Sequence, residues 1–273
     1  MAALQISNCA SQISSEVLIA RVMQIHASIS TLSSLRPSKQ VNSIFSNLVK
    51  LCILPSSIDI TALPEEVQAM RESLINLCGH AEGLLELVFA MFLSKIHQPL
   101  NNLNLFPYYG NYVKLASIEY RILNESGVSQ PRKVAFVGSG PLPLTSFIMA
   151  THHMKLTHFD NFDIDEVAND VARQIVASDP ELEKRMKFET GDIMEVQEKL
   201  SEYDCIFLAS LVGMRKVDKV KILGHIRKSA KGARAFLYPV VEEQDVLGFE
   251  LLSIYHPTND VINSVVLLRK PAF

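Results

Sequence analysis

The four cysteines of this 273-residue chain (Cys9, Cys52, Cys78 and Cys205) stand far apart, and no C-x-x-C pair occurs. That spacing excludes a disulfide framework or a cysteine zinc site and reads as buried thiols in a reducing compartment. Basic runs are also missing. With 26 basic and 29 acidic residues the net charge is -3, so nucleic acid is not an expected partner. The N-terminus lacks a basic stretch followed by an uninterrupted apolar core, which argues against a signal peptide. The most apolar window, Leu84 to Leu93, is shorter than a bilayer span and contains Glu86. The expectation is a cytoplasmic protein without an integral membrane segment. Apolar residues are abundant: 48% of the chain is hydrophobic against 20% charged, enough for one large domain or two ordinary ones.

The first half is patterned for helices. Ile13, Val17, Ile19, Val22, Ile25, Ile29 and Leu32 recur at spacings of three and four, predicting an amphipathic helix within 11–35 that ends near Arg36-Pro37. Val41, Ile44, Phe45, Leu48 and Leu51 repeat the pattern over 38–51. After a polar loop over 55–64, Pro64-Glu65-Glu66 opens a long helix running to about Ile96. Within it, Gly79 and Gly83 each cost roughly 1 kcal/mol against alanine, a cost that often marks close approach of a backbone or ligand. Glu82 and Glu86, four apart, share one face of this helix. Glu82, between Ala81 and Gly83, is the stronger functional candidate, whereas Glu86 fits a solvated surface acid equally well. His80-Ala81-Glu82 has the H-x-E of zinc deaminases, but no P-C-x-x-C follows, so no metal site is expected. Pro99 ends the helix, and the loop Leu103 to Tyr112 concentrates Phe106, Tyr108, Tyr109 and Tyr112. Such a loop either lines a pocket for a cationic ligand or plugs a domain seam. One more helix over 112–123 and a polar linker over 124–131 complete this half.

From Lys133 the period changes. Val134 to Val137 stops at Gly138-Ser139-Gly140, and an apolar-periodic stretch opens at Leu142, the order of a buried parallel strand, a glycine turn and a helix N-terminus. Gly138 and Gly140 can take positive φ and let a ligand approach the backbone, while Pro141 and Pro143 suit a first helical turn. A dinucleotide fingerprint needs a third glycine where Pro143 stands, so NAD and FAD fit poorly. A G-x-G turn without that glycine is common among S-adenosylmethionine enzymes. Asp163, with Asp165 following it, falls near the end of the next strand, about 20 residues downstream, where an acid can hold ribose hydroxyls. Asp192 follows a third short strand, on the side where adenine lies in such folds. Ser139 and Pro141 complete the expected cofactor-binding set. A fourth strand over 203–209 leads into Ser210 to Met214, which carries neither the acid nor the N-P-P-Y segment of amine methyltransferases. A helix over 217–228 and strands over 235–241, 249–256 and 264–269 follow, the last two as a hairpin.

These residues closely resemble the plant nicotianamine synthases. The resemblance rests on GHAEGLLE, LFPYYGNYVKL, KVAFVGSGPLPLTS, NFDIDEVAN, YDCIFLASLVGM, ARAFLYP, GFELLSIYHPT and INSVVLLRK, and covers nearly the whole chain. It implies an α/β fold: an α-helical capping and acceptor domain over 1–126, then a Rossmann-like S-adenosylmethionine-binding domain over 127–273. It also implies a transferase that condenses three S-adenosylmethionines into nicotianamine, releasing three methylthioadenosines, in the service of iron chelation and transport. S-adenosylmethionine is then the substrate, no other cofactor is needed, and chelation belongs to the product. The resemblance assigns the catalytic carboxylate to Glu82, partly desolvated so that its pKa rises, and the orienting tyrosines to Tyr108 and Tyr109. It leaves room for a homo-oligomer.

One departure stands out. Between Lys228 and Ser229 the chain lacks ~10 residues, about a strand plus a turn, that relatives carry. The fifth strand is expected there, so either residues 235–240 fill the gap or the sheet exposes an edge. His80 and Arg215 also differ from what many relatives have. A shortened sheet would favour an inactive or cofactor-binding-only relative, and the cofactor domain alone would suit a small-amine methyltransferase.

Overall fold

The computed structural model describes residues 13–54, 58–230, 234–237 (backbone), 246, 248–257, 261 and 263–271. The chain divides into two compact units, Met1–Leu84 and Leu85–Phe273.

The first unit is helical. Helix α1 (Ser15–Ser30) begins where the Ser14 hydroxyl accepts from the Val17 amide. Ser38 caps α2 (Lys39–Cys52) in the same way, accepting from Val41 at 3.2 Å. Each cap satisfies one of the amides that a helix start leaves open. Ile29, Leu35, Leu48, Leu74 and Ala81 form the core of this unit. Helix α3 (Glu65–Leu93) is a single 29-residue element that runs from the first unit into the second. By length and composition the whole helix could span a bilayer, although the 84–93 window considered alone could not.

The second unit holds a seven-stranded sheet in the order β3-β2-β1-β4-β5-β7-β6. Its strands are β1 (Lys133–Val137), β2 (His158–Asp163), β3 (Met186–Thr190), β4 (Cys205–Leu208), β5 (Arg234–Leu237), β6 (Glu250–Tyr255) and β7 (Val265–Arg269). Strands β1 to β5 are parallel, and β7 inserts antiparallel between β5 and β6. Short apolar runs such as Val134–Val137 and Cys205–Leu208 are buried along their length, as a sheet covered on both faces requires. The expected gap is closed: Cys205 to Leu208 pair in register with Arg234 to Leu237. The last two strands pair antiparallel, with a bulge between Leu251 and Ser253.

Helix α4 (Tyr109–Glu125) packs on α5 (Leu144–Ile148) and touches β7. Its Leu115, Ala116 and Leu123 share one core with Val134 and Phe136 of β1. The expected boundary at 126/127 therefore falls inside the second unit, and residues 126–132 are an ordinary helix-to-strand connection. Two helix starts also shift. Helix α4 begins at Tyr109, after a 3-10 segment over Pro99–Leu105, so the aromatic stretch expected as a loop is mostly helical. Helix α5 begins at Leu144, with Pro143 rather than Leu142 at its entry, and passes into a π-helical turn over Met149–His153. The remaining helices are α6 (Glu166–Val176), α7 (Pro180–Arg185) and α8 (Lys216–Ser229).

Candidate active site

The sheet order reverses between β1 and β4, and in open α/β sheets ligands bind outside the carboxyl ends of the strands at that point. The glycine turn lies there. Gly138 and Gly140 take φ of +76° and +66°, which a side chain would resist. The amides of Gly138 and Ser139 both donate to the Phe162 carbonyl at the end of β2, at 2.8 and 3.1 Å. The next amide, Gly140, donates to Asp163 Oδ2 at 2.8 Å. Asp163 Oδ1 accepts from Asp165 at 3.0 Å, and its backbone carbonyl accepts from Gly191 at 3.0 Å. Asp163 thus ties together the loops after β1, β2 and β3.

Two of the acids predicted to bind cofactor have local structural duties. Asp165 caps α6, accepting from Val167 at 2.9 Å, and Asp192 caps the short Ile193–Glu195 turn, accepting from Met194 at 2.9 Å. Both stand at the strand ends with Asp163. Pro141 is buried, and Ser139 is buried with a hydroxyl that makes no hydrogen bond among the described residues. That hydroxyl is the one polar side chain of the turn left for a ligand.

The loop after β4 leans on the turn. A Cβ on Gly138 would lie 2.1 Å from Val212 Cγ2. Beneath this loop, the wholly buried Lys219 donates from Nζ to the Ser210 carbonyl at 2.8 Å. Burial lowers its pKa to about 8. Gly213, at φ +62°, lets the chain double back: a Cβ there would meet the Lys219 backbone N at 2.8 Å.

A carboxylate from α3 also reaches the turn, and it belongs to Glu86. Glu86 Oε2 lies 3.1 Å from where a Gly140 Cβ would stand, and Oε1 accepts from the Tyr112 hydroxyl at 2.9 Å. Glu86 is half-buried, whereas Glu82, one turn earlier, is exposed and belongs to the first unit, where burial chiefly, then Cys52 and Glu82, raise the pKa of Cys78. Gly83 has no neighbour within 4 Å of an added Cβ among the described residues, so close approach does not explain it. Tyr112 comes from the second turn of α4. Phe106 stacks edge-on against Phe89 and Tyr108, with centroids 5.3 and 5.9 Å apart, and packs near Tyr112 at 6.3 Å. Tyr108 and Tyr109 are half-buried at the start of α4. The sequence reading therefore missed the Glu86–Tyr112 pair. The helix expected over 112–123 already sets Tyr112 on the face shared by Leu115, Ala116 and Glu119, and that spacing is the signal that could have found it.

A family model described as nicotianamine synthase protein matches residues 9–273. The nicotianamine synthase of Solanum lycopersicum is 49% identical over 267 residues, covering 94% of this chain and 84% of that protein. Nicotianamine synthase 3 of Arabidopsis thaliana is 49% identical over 269 residues, covering 93% and 84%. Among solved structures, a complex of MtNAS with MTA and tNA aligns with a TM-score of 0.76 at 18% identity, over 93% of this chain and 98% of that one. A glutamate-to-glutamine variant of MtNAS aligns with a TM-score of 0.77 at 17% identity over the same shares. Similarity at that level of identity speaks to the fold.

Proposed function

The chain belongs to the nicotianamine synthase family, and from that premise we propose that Glu86 is the base of its reaction and Tyr112 the group that orients it. The enzyme is an S-adenosylmethionine-dependent transferase that condenses three substrate molecules into nicotianamine and releases three methylthioadenosines. Two condensations join three aminobutyl units, and one ring closure forms the azetidine. Each step breaks a C–S bond, forms a C–N bond and gives up one proton from nitrogen.

The acceptor nitrogen is an α-ammonium in neutral water and cannot attack until that proton leaves. A half-buried carboxylate beside the glycine turn can take it. The single observation that carries the assignment is the geometry of Glu86: one oxygen on the Tyr112 hydroxyl and the other toward Gly140. The tyrosine O–H orients the carboxylate, and its second oxygen faces the glycine turn beside which the acceptor would lie. The glycine turn, the Ser139 hydroxyl and the Asp163-braced loops hold the substrate. Selecting Cγ of the aminobutyl arm over the methyl carbon is a matter of which carbon lies in line with the nitrogen at near-attack distance. Tyr108 and Tyr109 line the acceptor side. We place on Glu86 the base role that the resemblance gave to Glu82, because Glu86 is half-buried, accepts from Tyr112 and points its other oxygen toward the turn, whereas Glu82 is exposed.

S-adenosylmethionine is the only small molecule this scheme requires, and the cytoplasm supplies it. Among the described residues no group of three or more His, Cys, Asp or Glu could hold a metal ion. The test is mass spectrometry of products from purified Glu86→Gln incubated with S-adenosylmethionine. Loss of nicotianamine and methylthioadenosine with substrate binding retained supports the assignment. Full turnover by this variant overturns it.

A further inference from the structure

At the opposite end of the sheet, a half-open cavity of about 320 Å³ lies at the amino ends of β1, β2 and β3. It is lined by Arg132, Lys133, His158, Arg185 and Lys187, together with two acids, Asp160 and Glu202. The parallel register brings these groups together: Lys133 lies beside His158, and Asp160 beside Lys187. The His158 amide donates to the Arg132 carbonyl at 2.9 Å, which ties the mouth of the cavity together.

Both acids are already matched. Asp160 is buried, and its carboxylate accepts from the Tyr203 hydroxyl at 2.7 Å and meets Lys133 and Lys199 at 3.1 and 3.4 Å. Glu202 pairs with Lys133 at 2.7 Å. The nearby Asp204 carboxylate accepts the backbone amides of Arg132 and Lys133 at 2.7 and 3.2 Å. The Arg185 guanidinium is spread over the carbonyls of Ala150, Met154 and Thr157, which satisfies its N–H groups without neutralising its charge. What remains is cationic. The Arg132 guanidinium, the Lys187 ammonium and the His158 ring make no side-chain hydrogen bond or ion pair among the described residues. Arginine forks and lysine point charges around a concave wall suit a multiply charged oxyanion.

We propose that this cavity is a second ligand site, for a phosphate-bearing anion, separate from the catalytic site. Separation follows from the strand: five residues of β1 at about 3.3 Å each place the cavity roughly 15 Å from the glycine turn. The anion would sit against Arg132 and Lys187, with the Arg185 guanidinium supplying the field behind them.

The test is calorimetric titration of the whole protein with pyrophosphate at low salt, beside an Arg132→Gln/Lys187→Gln double variant whose thermal midpoint is checked for folding. The expected result is saturable one-to-one binding that weakens at least tenfold in the double variant while S-adenosylmethionine affinity is unchanged. Binding should also weaken as sodium chloride rises. Co-sedimentation with phosphatidic acid vesicles, against phosphatidylcholine vesicles, distinguishes the source of the phosphate. Capture lost in the double variant identifies a lipid headgroup, and pyrophosphate binding without capture identifies a soluble anion. Either result supports the site. Absence of saturable pyrophosphate binding, equal affinity in the double variant, or competition with S-adenosylmethionine would overturn the proposal.

Discussion

Replacing Gly138 by alanine should damage this protein twice over, and the two costs can be separated. The backbone at φ +76° sits in the left-handed region, where a non-glycine residue costs ~1–2 kcal/mol. The new methyl would also stand 2.1 Å from Val212 Cγ2 and 3.3 Å from Ala209 Cβ, so something must move. The valine cannot simply step aside. Its amide donates to the Ala209 carbonyl at 3.2 Å, and the same loop is held by Lys219 through Ser210. Overpacking of this kind costs ~1–3 kcal/mol, giving a total of roughly 2–5 kcal/mol for Gly138→Ala. Val212→Ala alone removes methyls from a half-buried side chain and should cost ~1 kcal/mol. The double variant should then be less destabilised than the sum of the singles by ~1–3 kcal/mol, because the clash is gone and only the φ strain persists. Urea unfolding measures each stability. Titration with S-adenosylmethionine should show the Gly138→Ala affinity loss partly recovered in the double variant. Additivity of the two substitutions to within ~0.5 kcal/mol would refute the contact between the two loops.

Tyr112→Phe should lower kcat ~10- to 100-fold with little change in substrate affinity, since it frees the Glu86 rotamer without removing the base; Glu82→Gln should leave product formation near wild type in the same mass-spectrometric assay. Lys219 gives a pH dependence with a definite sign. Its pKa is about 8 in the fold against an ordinary 10.5, so the unfolded chain holds this proton more tightly. The penalty is complete below pH 8 and fades as pH rises toward 10.5, stabilising the fold by about 3 kcal/mol; urea midpoints at pH 7 and 9.5 should show this slope, and Lys219→Met should abolish it. Gly83→Ala, in open space on α3, should raise stability by ~0.5–1 kcal/mol, seen as a higher urea midpoint.

The parts of this fold legible in the sequence were those where one physical signal dominates. A continuous apolar run ending in G-S-G can hardly be anything but a buried strand and a tight turn, and β1, the turn and Asp163 stand where that reading put them. The apolar spacing of three and four located α1 and α2 in the same way, although α1 stops at Ser30 rather than near Arg36-Pro37. The misses came where competing signals were close in strength. Prolines near a helix start indicate the first turn but not the residue, so α5 opens at Leu144 rather than Leu142. Aromatic density between Leu103 and Tyr112 suggested a loop, although tyrosines are tolerated in a helix, and tertiary packing drew the start of α4 back to Tyr109. The choice between Glu82 and Glu86 was undecidable locally. Both lie on one face of one helix, and the contact of Glu86 with Tyr112, 26 positions away on α4, is not visible in local sequence.

The closure of the sheet follows from the same competition between local and tertiary demands. All four residues of β4 are buried, so an unoccupied edge beside them would strand backbone donors and acceptors away from water. Strand β7 pairs antiparallel with β5 and β6, one position further out in the sheet. The segment closest in sequence after α8 that can form a parallel strand is Arg234–Leu237, and it pairs with Cys205–Leu208 on one side and Val266–Arg269 on the other. A four-residue strand suffices because β4 itself has only four residues to satisfy. Strands β1, β2 and β3, which carry the glycine turn, Asp163 and Asp192, lie on the far side of β4 from this repair. A shortened connection after α8 would therefore bear on the β4–β5 side of the sheet, and the pairing of β1 with β2 and of β2 with β3 does not depend on it.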